Sequence, residues 1–201
     1  ENYGVPESLL EFYPLGGEVL SEEEYETTRS KRRAELGLQE DTPFLVHAGK
    51  LEANKQTDRL LRAFAAVPEL NAKMAIIGSI PEERKALLTS LMEADKRVVY
   101  LGWKSGAELQ EYLCACDLYC QPGKVSAIMQ NAVCCRCPIL LYPHSGYVKD
   151  YDWHNIRWVR TEEDLVDAFR ALACGELPLS DMMENSARCA RELLDYRALA
   201  A

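Results

Sequence analysis

Three short apolar runs, each ended by a glycine and followed by a helical pattern, limit what this chain can fold into. Phe44–Ala48 runs into Gly49, Lys73–Ile77 into Gly78, and residues 97–101 into Gly102. Strands alternating with helices are the signature of a parallel sheet covered on both faces. After Gly49, the residues Leu60, Leu61, Phe64 and Ala65 share one helical face. After Gly78, Pro81 suits the first turn of a helix carrying Leu87, Leu88, Leu91 and Met92. After Gly102, Leu109, Tyr112 and Leu113 mark a third helix.

The alternation continues. Residues 117–120 predict a fourth strand, 138–142 a fifth and 156–159 a sixth. Between the fourth and fifth, Val125, Ile128, Met129, Ala132 and Val133 form a helical stripe. Leu165, Val166, Phe169 and Leu172 predict a helix after the sixth strand, and 180–196 a terminal helix capped by Ser180 or Asp181. The fold class expected is α/β, a Rossmann-like parallel sheet with helices on both faces. Residues 41–178 make up that domain, 1–40 an irregular lead-in packed on it, and 179–201 a C-terminal helix. Within the lead-in, 9–15 reads as a strand and 21–36 as a charged helix running to a turn at Gly37.

Length and charge narrow the function classes. At 201 residues the chain can bury a full core. A net charge of −9 argues against nucleic acid, whose phosphates need a basic footprint. Glu22, Glu23, Glu24 and Glu26 read as a solvated helix face. No apolar run approaches the ~18–20 residues that cross a bilayer, so no transmembrane segment is expected. The eight cysteines lack the paired spacing of a zinc site and sit mostly in apolar segments, where cysteine acts as a small hydrophobe. No metal is expected. The chain starts at Glu1 without a basic-then-apolar leader, which suggests a fragment of a protein working in the reducing cytoplasm.

The familiar phosphate-binding fingerprints are missing. Ala48-Gly49-Lys50-Leu51-Glu52 is not G-x-G-x-x-G, and there is neither a P-loop nor a Gly-x-Ser-x-Gly elbow. What remains is Lys50 and Lys55, five residues apart in a loop just past the first strand, whose amines could converge on one diphosphate. The second element is Pro122-Gly123-Lys124-Val125-Ser126, a turn feeding into a helix, where free amides favour an anion. Ser126 either caps that helix or donates to a phosphate oxygen. Gly49, Gly78 and Gly102 follow strand ends, where ligands bind in open α/β sheets, although such turns use glycine anyway. Among the histidines, His47 reads as a satisfied core residue and His154 as structural. His144, beyond the fifth strand, is a secondary candidate.

Taken in order, Tyr3-Gly4-Val5-Pro6, Gly49-Lys50 with Lys55, Ile76-Ile77-Gly78, Val99-Tyr100-Leu101-Gly102, Cys116-Asp117-Leu118 with Pro122, and Asn131-Ala132 with Cys137-Pro138-Ile139 resemble the C-terminal, donor-binding domain of retaining GT-B glycosyltransferases of the GT4 type. The resemblance covers roughly residues 3–172. It implies a nucleotide-sugar donor of the UDP or GDP type, no cofactor, and a missing N-terminal domain supplying the acceptor site. It implies that Gly49, Lys50, Lys55, Ser126, Ala127 and Ile128 meet the donor diphosphate, with Lys50 standing where the family usually has arginine. Tyr100, Leu101 and Gly102 would meet the base. Two family glutamates, one near the transferred sugar and one on the ribose, fall at Gly123 and Asn131. Asn131 can still hydrogen-bond a ribose, whereas Gly123 has no side chain to offer. Two other readings stay open: a catalytically altered or inactive nucleotide-binding or interaction module, and a GT-B relative such as a nucleotide-sugar epimerase.

Overall fold

The computed structural model describes residue 6, residues 14–143 and residues 151–199. Its centre is a six-stranded sheet in the order β3-β2-β1-β4-β5-β6. The strands are β1 (Phe44–Ala48), β2 (Lys73–Ile77), β3 (Val98–Gly102), β4 (Leu118–Gln121), β5 (Ile139–Leu141) and β6 (Ile156–Trp158). Every pairing between them is parallel. The helices are α1 (Glu22–Glu35), α2 (Thr57–Ala65), α3 (Glu82–Glu93), α4 (Gly106–Ala115), α5 (Ile128–Cys134), α6 (Glu162–Ala173), α7 (Leu179–Cys189) and α8 (Tyr196–Leu199). No helix among the described residues is long and apolar enough to cross a membrane.

The strands are apolar on both sides because each side has its own core. Phe44, Val46 and Ala48 of β1 face a cluster that contains Tyr119, Leu113, Val133 and Ile139. Leu45, between them, faces the other cluster with Leu60, Phe64, Leu88 and Phe169. The period of two thus sorts residues between two buried layers rather than between core and water. Phe64 and Phe169 meet edge to face at 5.5 Å, joining α2 to α6.

Several boundaries differ from the sequence expectation. The helix expected from Val125 begins at Ile128 and has 7 residues, because Val125 packs on the core from a loop. The terminal helix starts after Pro178 with no side-chain cap, so neither Ser180 nor Asp181 is its cap. It is not continuous either. Beyond Cys189 it widens into a π-turn over Ala190–Leu194. There the Leu194 carbonyl accepts from Gly17 N–H at 2.9 Å, and Tyr196 N–H donates to Gly17 O at 3.2 Å. A tertiary contact between the two ends of the described chain thus overrides the helical repeat. Of the apolar face expected in α3, Leu88 and Met92 are buried and Leu91 packs half-buried against the same core, whereas Leu87 is exposed. The strand expected over 9–15 is absent at Pro14 and Leu15, and its remainder lies outside the described residues, as do Tyr3–Val5 of the resemblance and His144.

Seven of the eight cysteines are buried and all are free thiols, with Cys174 exposed. Cys114, Cys116, Cys134, Cys135, Cys137 and Cys189 all belong to one apolar cluster. Burial pushes the Cys134 and Cys189 thiols up to about 12, which keeps them protonated and unreactive.

His47 occupies the middle of this frame, fully buried in β1. Its Nδ1 lies 2.7 Å from the Cys120 carbonyl and its Nε2 2.9 Å from the Thr57 hydroxyl. A carbonyl only accepts, so Nδ1 carries the proton and Thr57 donates to Nε2. Burial drops the His47 pKa from 6.5 to about 4. The unfolded chain therefore binds more protons than the native one between those values, and stability falls as pH drops from about 6.5 towards 4. At ~1.4 kcal/mol per pH unit the full loss is about 3 kcal/mol. Urea denaturation at pH 7, 6 and 5 measures it. The non-titrating variant His47→Gln flattens the slope in that window, and an unchanged slope in the variant would refute the assignment.

Candidate functional site

The strand order reverses direction between β1 and β4, and in open α/β sheets the crevice at that switch point receives ligands. Two loops meet there, one leaving β1 and one leaving β4. The first passes through Gly49 at φ 133° and Gly78 lies beside it at φ 136°. A Cβ on Gly78 would stand 1.8 Å from the Gly49 carbonyl oxygen. Only glycine permits this approach. Hydrogen bonds from Gly49 N–H to Ile77 O (3.0 Å) and from Leu51 N–H to Ser79 O (2.9 Å) hold the two turns together.

The loop then makes a single 3₁₀ turn, Ala53–Lys55, and Gln56 takes the left-handed conformation at φ 57° before α2. This turn presses against the second loop. A Cβ on Gly123 would lie 2.2 Å from Asn54 O and 2.8 Å from Lys55 Cα. Lys124 N–H donates to Asn54 O at 2.8 Å. The backbone of Asn54 and Lys55 thus fills the space a side chain at 123 would need.

Lys55 is buried, with 7% of its surface exposed. Its ammonium donates to the Lys124 carbonyl at 2.9 Å and lies 3.9 Å from where a Cβ on Gly49 would be. Burial, reinforced by the nearby charge of Lys124, lowers its pKa, so an anion beside it would be stabilised by restoring a partner to a desolvated charge. The Ile128 side chain closes the same space, 3.7 Å from the Gly49 position. The amides of Ser126, Ala127 and Ile128 form no hydrogen bond to another described residue. The Ser126 hydroxyl is buried and forms no hydrogen bond of good geometry with another described residue, although it stands next to the Tyr119 phenol. Gly49, Lys55 and Ile128 therefore border one space, and the 126–128 segment that ends in Ile128 carries three backbone donors with no described partner.

Lys50 does not join them. Its side chain is largely exposed, and its ammonium pairs with Glu52 at 2.7 Å, which raises its pKa. The two lysines do not converge as their spacing suggests. Two residues that the sequence did not single out, Tyr119 and Gln121, hold the site instead. The Tyr119 hydroxyl donates to Gln121 Oε1 at 3.1 Å, and Gln121 Nε2 donates to Lys124 O at 2.8 Å, beside the Lys55 bond. All of Tyr119 and Gln121 is buried. The one available sequence signal was Gln121, a polar residue closing an apolar strand.

Tyr100, on the edge strand β3, donates its hydroxyl to Gly78 O at 2.8 Å, and the Gly102 carbonyl accepts from Gly78 N–H at 2.8 Å; Leu101 lies half-buried between them. Asn131 is exposed and lines a cavity of about 50 Å³ beside α4, with Glu18, Leu109 and Gln110. His154 is exposed at φ 64° in the loop before β6.

Comparison with known families decides what this arrangement belongs to. Residues 28–188 match the family described as Glycosyl transferases group 1. The chain belongs to that family. No curated protein matches it by sequence at a significant level. Several solved structures superpose well on this fold. The structure of WaaG, a glycosyltransferase involved in lipopolysaccharide biosynthesis, aligns at TM-score 0.71 and 22% identity over 92% of this chain and 54% of WaaG. HepE from Anabaena, in complex with UDP-glucose, aligns at 0.79 and 17% over 98% of this chain and 56% of HepE. Sucrose-phosphate synthase from Thermosynechococcus elongatus aligns at 0.72 and 19% over 94% and 47%. At such identities the likeness is one of fold, the α/β GT-B architecture. This group 1 chain spans about half the length of each of those proteins.

Proposed function

We propose that this chain is the nucleotide-sugar donor-binding domain of a retaining glycosyltransferase of the GT4 type. A further domain supplies the acceptor, and the protein works in the reducing cytoplasm. The observation that carries the proposal is the buried Lys55 ammonium beside Gly49 and the Ile128 side chain, at the start of a helix whose 126–128 amides have no hydrogen-bond partner among the described residues. A diphosphate between them replaces lost water with charge-assisted bonds. In the transfer, an acceptor hydroxyl oxygen bonds to the anomeric carbon as the bond from that carbon to the diphosphate breaks; the hydroxyl proton passes to the leaving phosphate, on whose oxygen negative charge builds. Lys55 and the amides stabilise that charge without reorganising. A metal is not required for this, because the cation is supplied by the chain. HepE has been solved with UDP-glucose at the same fold, which supports a donor of that class.

Calorimetric titration of the chain with UDP, UDP-sugars and GDP-sugars tests the reading. We expect binding, and a loss of about tenfold or more in affinity for Lys55→Ala, one charge-assisted contact being worth ~1.5–3 kcal/mol. Lys50→Ala should matter less, since its ammonium is already committed to Glu52. Absence of binding at millimolar ligand would overturn the proposal.

Gly123 favours a second reading, a catalytically altered or inactive module. The backbone of Asn54 occupies the place of any side chain there, so no carboxylate reaches the sugar from that position. That reading predicts donor binding without transfer when the acceptor domain is present.

A further inference from the structure

The cradle for the diphosphate shares a wall with a second cavity that nothing above uses. It measures about 400 Å³, and Arg59, Lys124 and Arg160 line it together with Asn54, Gln56 and Tyr142. The three cations come from α2, from the turn after β4 and from the end of β6. Among its described lining residues there is no carboxylate. Within a chain of net charge −9, where Arg29, Arg33, Arg97 and Arg136 all sit in ion pairs, Arg59, Lys124 and Arg160 make no contact ion pair with a described residue, although Glu52 feels the charge of Lys124 and Asp164 that of Arg160 from outside the cavity. The geometry is also held in place. Arg59 Nη1 donates to the Arg160 carbonyl at 3.1 Å, and the Arg160 amide is fixed by Asp164 at 2.7 Å. Three like charges gathered on one cavity favour an anionic occupant, and two guanidinium forks suit a planar carboxylate.

The cavity and the cradle meet at the turn 122–124. Lys55 bonds the carbonyl of Lys124, while Gly123 and Lys124 line the cavity. A group joined to the bound diphosphate therefore lies next to these cations. We propose that the transferred sugar is a uronic acid, and that its carboxylate is held by Arg59, Lys124 and Arg160. This rests on the donor-binding reading above and names the sugar class for that site. Asn54, Gln56 and Tyr142 offer neutral donors and acceptors for the ring hydroxyls.

Paired titrations test it: UDP-glucose against UDP-glucuronic acid, and GDP-mannose against GDP-mannuronic acid. In the nucleotide series that binds, the uronic acid should bind about tenfold more tightly than its neutral counterpart, the worth of one charge-assisted contact. Arg160→Gln should abolish that preference while the affinity for the bare nucleoside diphosphate stays as in the parent chain. Arg160→Lys, which keeps the charge, should restore part of it. Equal affinity for the neutral and acidic sugars, or a preference that survives Arg160→Gln, would overturn the inference and leave the donor-binding reading standing. Failure of every nucleotide to bind would overturn both.

Discussion

Gly78→Ala should destabilise the chain by about 4 kcal/mol, the sum of left-handed backbone strain and main-chain overlap. The backbone at Gly78 sits at φ 136°, a conformation that L side chains rarely adopt. The added methyl would meet the Gly49 carbonyl oxygen at 1.8 Å and the Gly49 amide nitrogen at 3.3 Å. The obstacle is main chain on both counts, so no rotamer change relieves it. To make room, the loop after β1 must swing away from the loop after β2, breaking the bonds from Gly49 to Ile77 and from Leu51 to Ser79. The same movement carries Gly49 and Lys55 out of the cradle, so donor affinity should fall with stability. Urea denaturation followed by circular dichroism reads the first effect. A loss below about 1 kcal/mol, the ordinary effect of a point substitution, would contradict the packing described.

Asp117→Ala should cost about 3–5 kcal/mol, the range for leaving buried charges without their partner. Asp117 closes α4 and opens β4, and its carboxylate receives Arg29 on one oxygen and Arg33 on the other at 2.7 Å. Phe44 N–H donates to the same carboxylate at 2.7 Å, and Asp117 N–H returns a bond to Phe44 O at 2.8 Å. One side chain thus ties α1 to the N-terminal ends of β1 and β4, the edge of the sheet opposite the candidate site. Its exposure is 12%, and that of Arg29 and Arg33 is 18% and 11%, so solvent cannot take its place. Truncation leaves two guanidiniums with only backbone carbonyls, among them Cys114 O for Arg29 and Ala115 O for Arg33. Asp117→Asn keeps one acceptor oxygen and should fall between the parent and the alanine variant. Equal stability of all three in thermal denaturation would show that this network is dispensable.

The sheet was legible in the sequence because its strands are short, apolar and ended by turns. Phe44–Ala48 and Lys73–Ile77 stand in the structure as expected. The helix beyond β4 was harder to delimit, since Val125 contributes to the core from a loop and mimics one more turn of apolar stripe. The π-turn at Ala190–Leu194 depends on Gly17, far away in sequence, and no local pattern announces it.

The candidate site divides in the same way. Gly49 and Lys55 could be picked out because a glycine and a cation follow a strand end. Lys50 looked equivalent, but a lysine's partner is decided by rotamer and neighbour, and Glu52 is two residues away. The burial of Lys55 depends on a carbonyl 69 positions distant. Gly123 shows most clearly what only the fold supplies. The sequence displays a missing carboxylate, and the structure adds that Asn54 O lies where its Cβ would go.

The central claim, that a nucleoside diphosphate sits between Gly49 with Lys55 and the 126–128 amides, is open to one direct measurement. Backbone amide NMR shifts recorded while UDP and GDP are titrated into the chain locate the ligand residue by residue. The predicted result is that one nucleotide moves Gly49, Ser126, Ala127 and Ile128 most, with smaller changes at Tyr100–Gly102. Shifts centred instead on the groove between α1 and α7, where Glu22, Arg136 and Arg188 meet, would contradict it.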